Sequence, residues 1–309
     1  MKNKTFWLLF GLAAGAVGAG IARRKSAEEA AEWAGRMRAM GRTRTALPVD
    51  LLACPHCRAR LVLDGSAEQG ALCCQTCRRR YPIVDSIPRF MAYAELPEQD
   101  RRFAQFYDWF SYLYLPFSRI GSILLGGEGR SRRDILDRLE PHGGRVLEVS
   151  IGPGVNLPYL LERADVGEVH GLDLSLGQLQ RCQGYMKRNG FPAALSLGNA
   201  ETLPYQDESF DSVFHIGGIN FFTDKKKAIE EMIRVAKPGA KILIADETER
   251  GARGYEISLP GFDNLFEQQR EPVRPPVDLV PADMLDVSLD ETVWKGLLYV
   301  LTFRKPPTP

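Results

Sequence analysis

Apolar positions divide the chain into stretches of different period. Phe6 to Ala22 is apolar without a charge. Its length is at the short edge of the roughly 17–25 residues that cross a bilayer as a helix. From residue 26 to about 47, Ala, Glu and Arg mix with no clear apolar stripe, which predicts a solvated helix or tether. Ser131–Leu139 has helical spacing. Beyond it come short apolar runs: Val146–Val149, Glu168–Leu174, a run ending at Gly198, Ser209–Ile216 and Ile242–Asp246. Between them lie helical patterns such as Leu157, Leu160, Leu161 and Ile229, Met232, Ile233, the second opened by Asp224 as an N-cap. Apolar strands alternating with helices predict a parallel sheet covered on both faces. Two last strands, about Met284–Val293 and Leu297–Arg304, meet at Lys295-Gly296 and predict an antiparallel end hairpin.

The first strand opens into Gly152-Pro153-Gly154 and then a helix starting at Asn156. Strand, glycine turn and helix make the start of a mononucleotide-binding unit, where missing side chains let backbone approach a ligand. The next strand ends at Asp173, where an acidic residue can accept hydrogen bonds from a ribose. Competing readings of this unit are a plain tight turn and an NAD-binding dehydrogenase. The block Arg234-Val-Ala-Lys-Pro-Gly-Ala-Lys-Ile-Leu-Ile-Ala-Asp246 fits the dehydrogenase poorly.

The order of these motifs over roughly residues 100–309 resembles the class I S-adenosylmethionine-dependent methyltransferases, especially their small-molecule, quinone and lipid branch. That family's acidic-x-Gly-x-Gly-x-Gly stands here as Glu148-x-Ser150-x-Gly152-x-Gly154, with Ser150 in place of the first glycine. The resemblance implies that Gly152 and Gly154 let the backbone pass the methionine end of the cofactor and that Glu148 helps hold it. It also implies that Asp173 binds the ribose hydroxyls and Leu174 packs on the adenine. Asn199 stands where the family often has an Asp accepting from the adenine amino group, and Ala200 supplies a backbone contact. His215 and Gly217 face the methyl group. His215 is the candidate general base, since its pKa suits neutral pH; a packed or cofactor-touching histidine is the other reading. Similar methyltransferases carry a Tyr-Asp helix over the cofactor and substrate, here Phe103–Tyr114, so that Tyr107, Trp109 and Tyr112 either line the pocket or fill core.

Cys54-Pro-His-Cys57 and Cys74-Gln-Thr-Cys77 form two Cys-x₂-Cys pairs with a spacer in the range of a four-cysteine zinc site. With all four positions filled by Cys54, Cys57, Cys74 and Cys77, the Zn²⁺ would be structural. A redox dithiol is the alternative. His56 reads as pointing outward, and Cys73 would spoil the two-residue spacing. A module of this size buries little apolar surface, so metal would supply its folding energy. With Tyr81-Pro-Ile-Val-Asp-Ser-Ile-Pro88, the stretch resembles the zinc-ribbon proteins that partner and activate tRNA and protein methyltransferases, which implies a protein partner. The ribbon's own domain and a separate chain are both open as that partner.

The net charge is +1 over 309 residues, which argues against general nucleic-acid binding. Lys2 and Lys4 precede the apolar run, and Arg23, Arg24 and Lys25 follow it. This predicts an anchor with the large domain on the cytoplasmic side, a cleaved signal peptide being the rival. The expected organisation is an anchor helix at 1–25, a tether at 26–50, a zinc ribbon at 51–92 and a methyltransferase domain at 93–309. The fold class is a Rossmann-like sheet with a C-terminal antiparallel hairpin, preceded by the small ribbon and a membrane helix. The expected function is a membrane-tethered, S-adenosylmethionine-dependent methyltransferase acting on a hydrophobic small molecule (a quinone, lipid or thiol). RNA methylation through Arg78, Arg79 and Arg80 of the ribbon, and a non-catalytic scaffold, are the rivals.

Overall fold

The computed structural model describes residues 28, 30–40, 47–98, 100–102, 104–105, 108, 128–258 and 272–308. The apolar run at 6–22, the aromatic residues Tyr107, Trp109 and Tyr112, and the helix expected at 262–269 lie outside these. No described helix is long and apolar enough to cross a membrane.

Four short strands make the ribbon: β1 (Leu61–Asp64), β2 (Ala71–Cys74), β3 (Arg80–Val84) and β4 (Ile87–Pro88), paired antiparallel in chain order. Strict alternation along β3 buries Tyr81 and Ile83 and exposes Arg80 and Pro82, as a half-buried strand requires. The expectation of a module with little apolar surface of its own needs correcting. Leu52, Leu61, Leu72, Tyr81, Ile83 and Phe90 form one continuous core with Leu203, Tyr205 and Phe210 of the large domain.

The large domain has seven strands: β5 (Arg145–Val149), β6 (Glu168–Asp173), β7 (Ala194–Leu197), β8 (Phe210–Ile216), β9 (Ala236–Glu247), β10 (Leu285–Asp290) and β11 (Leu298–Arg304). Their order is β10-β11-β9-β8-β5-β6-β7. Strands β5 to β9 run parallel, and β11 pairs antiparallel with both β9 and β10. The expected end hairpin is therefore present, with a longer connection than Lys295-Gly296 alone. Successive residues of the central strands feed opposite cores: Val213, Ile242 and Ile244 pack on one face and Phe214, Leu243 and Ala245 on the other. Burial on both faces explains why these strands read as unbroken apolar runs.

Helices cover the two faces: α1 (Glu128–Leu136), α2 (Leu157–Leu161), α3 (Leu176–Asn189), α4 (Lys225–Val235) and α5 (Glu249–Ser258). Ser175 caps α3 by accepting from the Gln178 amide, and Gly190 ends it at φ 69°. Asp224 caps α4 through the Lys227 amide at 2.9 Å, as the sequence predicts. His170 is fully buried, edge-on to Phe210, and Cys182 is a buried side chain in the second core; both match their reading as core.

Two segments dock more closely than the sequence suggests. The Phe90 amide donates to Leu197 O at 2.9 Å and Arg89 bridges Leu197 in parallel, so the ribbon extends the β7 edge. On the other side of the ribbon, Ala53 N donates to Pro204 O at 3.0 Å and Gln206 N to Leu51 O at 2.8 Å. The ribbon thus contacts the large domain of its own chain. Residues 30–39 form a helix that is not the fully solvated face expected of a tether. Met37 is 1% exposed, and Trp33 packs edge-on against Phe191 at 5.2 Å. Two apolar residues a turn apart suffice to dock a short helix, and so small a stripe is lost among the Ala and Glu around it.

Candidate active site and metal centre

The order of the large sheet reverses at β5, which has β6 on one side and β8 on the other. In open α/β sheets the ligand crevice lies outside the carboxyl ends of the strands at such a switch point. The residues singled out from the sequence in Glu148–Gly154, Asp173–Leu174, Asn199–Ala200 and His215 sit at or just past the ends of β5, β6, β7 and β8.

The turn after β5 shows what each glycine does. Ser150, where the family pattern has glycine, takes φ 63°, and Gly152 and Gly154 take 55° and 80°. A Cβ at Gly152 would meet nothing within 4 Å, so the turn leaves open space there. A Cβ at Gly154 would lie 2.7 Å from Cys182 Sγ, so that glycine lets the helices and strand close on each other.

Glu148 is 1% exposed, and burial pushes its pKa up to about 8. Asn156 Nδ2 donates to its Oε1 at 2.6 Å, and Arg132 donates to Asn156 Oδ1 at 2.7 Å. Glu148 Oε2 has no partner. A buried carboxyl oxygen without a donor is costly unless a ligand supplies one. The ammonium of a bound methionine moiety is such a donor, so this end of the crevice fits S-adenosylmethionine.

Asp173 accepts from the Gly152 amide at 2.7 Å through Oδ2 and from the Ser175 amide at 2.9 Å through Oδ1. Burial raises its pKa to about 6 against the pull of those amides. Each oxygen keeps a second lone pair for a ribose hydroxyl. Leu174 is half-buried and Ala200 buried beside this carboxylate's strand end. Asn199 uses Oδ1 to accept from the Glu201 amide at 2.9 Å, capping a short 3₁₀ turn. It is thus a local cap in the described structure.

His215 spans the switch point. Its Nδ1 lies 2.9 Å from Val149 O, its ring is fully buried, and Phe222 packs edge-on at 5.1 Å. Burial lowers its pKa, against the opposite pull of Asp246, so the ring is neutral at physiological pH.

Three features escaped the sequence reading. Asp108 accepts from Ser175 Oγ at 2.6 Å, the Gly177 amide at 2.7 Å and Tyr93 Oη at 2.9 Å, while Tyr93 Oη accepts from the Leu176 amide at 2.8 Å. These bonds tie Asp108 to the first turn of α3, beside Asp173. A Cβ at Gly177 would stand 2.7 Å from Asp108 Cα, so only glycine admits the contact. The Tyr-Asp pair was the available signal, and this geometry shows what the Asp does. Arg132, which holds Asn156, lies in an ordinary-looking amphipathic helix. Asp246 and Tyr299 lie opposite each other on β9 and β11, and their sequence context marks them only as strand residues.

In the ribbon, the sulfurs of Cys54, Cys57, Cys74 and Cys77 all lie within 4.8 Å of one another. Cys54 and Cys77 are 3.6 Å apart and Cys57 and Cys74 3.4 Å. A Zn–S bond of about 2.3 Å puts tetrahedral sulfurs about 3.8 Å apart, so the donor set fits zinc. Each pair closes the same turn: Arg58 N donates to Cys54 O and Arg78 N to Cys74 O, with Arg58 and Arg78 at φ 61° and 62°. Cys73 and the exposed His56 are outside the cluster, as expected. Arg80, one of the three arginines considered for RNA contact, is paired with Asp64.

A cleft of about 660 Å³ lies between the ribbon and α4, lined by residues that include His56, Arg58, Glu231 and Arg234. Glu231 pairs with both Arg58 and Arg234, so the buried carboxylate of this cleft is satisfied within the chain. Glu148 Oε2 and His215 Nε2, by contrast, are buried without a partner at the carboxyl ends of β5 and β8, at the switch point.

Comparisons with known proteins bear on the ribbon and the large domain separately. Residues 147–244 match the family described as "Methyltransferase domain", and residues 49–86 the family described as "Trm112p-like protein". Phthiotriol/phenolphthiotriol dimycocerosates methyltransferase 1 of Mycobacterium ulcerans is 35% identical over 135 residues, which cover 43% of this chain and 49% of that protein. Demethylmenaquinone methyltransferase of Renibacterium salmoninarum is 38% identical over 125 residues, covering 40% and 49%. The chain thus spans about half the length of the curated relatives it matches. Among solved structures, the [4+2]-cyclase SpnF superposes with a TM-score of 0.51 at 17% identity, covering 69% of this chain and 98% of that one. That likeness concerns the fold alone, and a cyclase bearing it is a reminder that the fold does not fix the reaction. Residues 147–244 thus match a methyltransferase domain, and residues 49–86, which bring the four cysteines together, match a Trm112p-like segment.

Proposed function

We propose that this protein is an S-adenosylmethionine-dependent methyltransferase that acts on a small lipophilic acceptor, with the zinc ribbon as a built-in structural part of its own fold. The observation that carries the reading is the crevice at the switch point. There Glu148 leaves one buried carboxyl oxygen unpaired, Gly152 leaves open space, and Asp173 ends the neighbouring strand. When bound, the cofactor supplies an electrophilic methyl group on a sulfonium. The chain's own residues do the rest. Glu148 holds the amino end, Asp173 the ribose, and Leu174, Asn199 and Ala200 the adenine end. A buried wall around His215 excludes water, and alignment with desolvation supplies much of the acceleration. A lipophilic acceptor is supported by the names of the relatives above, a phthiotriol/phenolphthiotriol dimycocerosates methyltransferase and a demethylmenaquinone methyltransferase.

The apolar run Phe6–Ala22 supports a tether to the cytoplasmic face of a membrane, where a lipophilic acceptor is concentrated. Vesicle flotation of the full chain against one lacking residues 1–25 tests this; equal flotation of the two removes the tether.

Calorimetric titration of S-adenosylmethionine into the zinc-loaded protein tests the main reading. Binding that S-adenosylhomocysteine displaces, and that Asp173→Ala weakens, is the expected result. A folded protein that binds neither compound overturns the reading and favours a scaffold.

A further inference from the structure

His215 and Tyr299 both leave a buried polar atom without a partner, and both stand at the same end of the sheet. Val149 O can only accept a hydrogen bond, so the 2.9 Å contact requires the proton of His215 to be on Nδ1. Nε2 of the neutral ring is then a bare lone pair, and it has no partner. Tyr299 is fully buried, and its hydroxyl also has no partner. Between them lies Asp246. It is the cross-strand neighbour of Tyr299, and its charge acts on both rings. Asp246 itself is satisfied: its oxygens accept from the Asn220 amide at 3.0 Å and the Glu247 amide at 2.9 Å. What remains unmet is one acceptor and one hydroxyl, beside the carboxyls of Asp246 and Glu247 and with Phe222 packed on the His215 ring.

We infer that His215 Nε2 and the Tyr299 hydroxyl form the acceptor subsite, and that the group methylated there is a hydroxyl oxygen on an apolar body. The inference rests on the proposed methyltransferase reading and adds the acceptor atom to it. A hydroxyl is the acceptor that needs both groups. It donates its proton to Nε2 and receives a hydrogen bond from Tyr299. A thiolate brings no proton to remove, and an amine can attack before it loses one. In the step, the acceptor oxygen forms a bond to the methyl carbon as the carbon–sulfur bond breaks, with that electron pair going to sulfur. The O–H proton passes to Nε2, giving a methyl ether, S-adenosylhomocysteine and a protonated His215. Asp246 stabilises the imidazolium by its charge, and the proton returns to solvent. Positioned base catalysis of this kind contributes about 10²–10⁴-fold.

The test uses the full zinc-loaded chain and three probes that differ in one atom: 2-naphthol, 2-naphthylamine and 2-naphthalenethiol. S-adenosylmethionine binding is measured alongside by calorimetry. The expected product is the methyl ether of 2-naphthol. His215→Asn keeps an amide donor for Val149 O but deletes the Nε2 lone pair. It should lower kcat for 2-naphthol by about 100-fold while cofactor affinity stays within about twofold. Its loss should shrink to a few-fold on 4-nitro-1-naphthol, which is already ionised at neutral pH. Tyr299→Phe should raise KM for 2-naphthol by about tenfold with little change in kcat. Cofactor binding with methylation only of the amine, the thiol or a ring carbon, or with none, overturns the hydroxyl assignment and leaves the parent reading standing. An equal loss for ionised and neutral naphthols in His215→Asn also overturns it. Absence of cofactor binding removes both.

Discussion

The ribbon and the crevice are both built around groups that need polar partners, and they meet that need in opposite ways. In the ribbon the chain supplies the whole donor set. Four sulfurs converge, and Tyr81 Oη and the Cys77 amide approach two of them at 3.0 and 3.4 Å. In the crevice the chain supplies only part, and Glu148 Oε2, His215 Nε2 and Tyr299 Oη remain without partners. A closed set marks a site that serves the fold. An open one marks a site whose last partners arrive with a ligand.

The contrast is most easily broken at the ribbon. Cys54→Ser or Cys74→Ser should abolish zinc binding. Structural zinc in small modules contributes on the order of 10 kcal/mol, so the ribbon should unfold. Because Phe90 and Tyr81 share a core with Tyr205 and Phe210, the loss should reach the large domain. Thermal melts should fall steeply, and hydrogen exchange should quicken from Leu197 to Phe210. A variant whose large domain melts as the parent does would mean that the shared core carries no stability.

Asp173→Ala should come next. It strands the Gly152 and Ser175 amides and removes the ribose acceptor. We expect stability to fall by about 2–5 kcal/mol and cofactor affinity by about 100-fold, read by denaturant titration and calorimetry.

The third effect depends on pH. Glu148 ionises near 4.5 in an unfolded chain and near 8 in the fold. The folded state therefore keeps a proton that the unfolded state releases. Stability without ligand should be full below pH 4.5 and fall as pH rises towards about 8. Asp173 adds a smaller fall between 3.8 and about 6. Glu247, also raised by burial beside Asp246, adds to the fall, so Glu148→Gln should reduce this slope in chemical denaturation between pH 5 and 8 without removing it. It should also weaken S-adenosylmethionine about tenfold, because a charge-assisted bond to the ammonium is lost. An unchanged slope would show that Glu148 is ionised in the ligand-free fold.

The smallest effect belongs to Ser150→Gly. A non-glycine residue at φ 63° carries backbone strain of about 1 kcal/mol. Glycine should relieve part of it and raise the melting midpoint slightly, with cofactor affinity unchanged.

What could be read in the sequence follows the reach of each signal. The glycine turn, Asp173 and the cysteine pairs are local demands of the backbone or of a metal, so a few neighbouring residues reveal them. The apolar strands were legible because both faces are buried. Pairings across the fold were not. Nothing near Arg89 announces Leu197, and nothing near Tyr299 announces Asp246. Trp33 and Met37 dock through only two side chains in a run of Ala and Glu. Asn199 had a role from its position in a motif, and only the structure shows that it also caps the next turn. Lys237-Pro-Gly239, which precedes the apolar run Ile242–Asp246, lies within the long β9, where the register with β8 shifts.

The seam between Arg89 and Leu197 also has a consequence in time. The ribbon leaves the ribosome first, and its metal knuckles are local enough to close before the large domain exists. Its partner strand is made only about a hundred residues later, and pairing across such a separation is slow to form by search. A ribbon already rigid at that moment presents a finished edge to β7. The last-made neighbour of the cofactor's adenine end would then be laid against a template and not left to find its place alone.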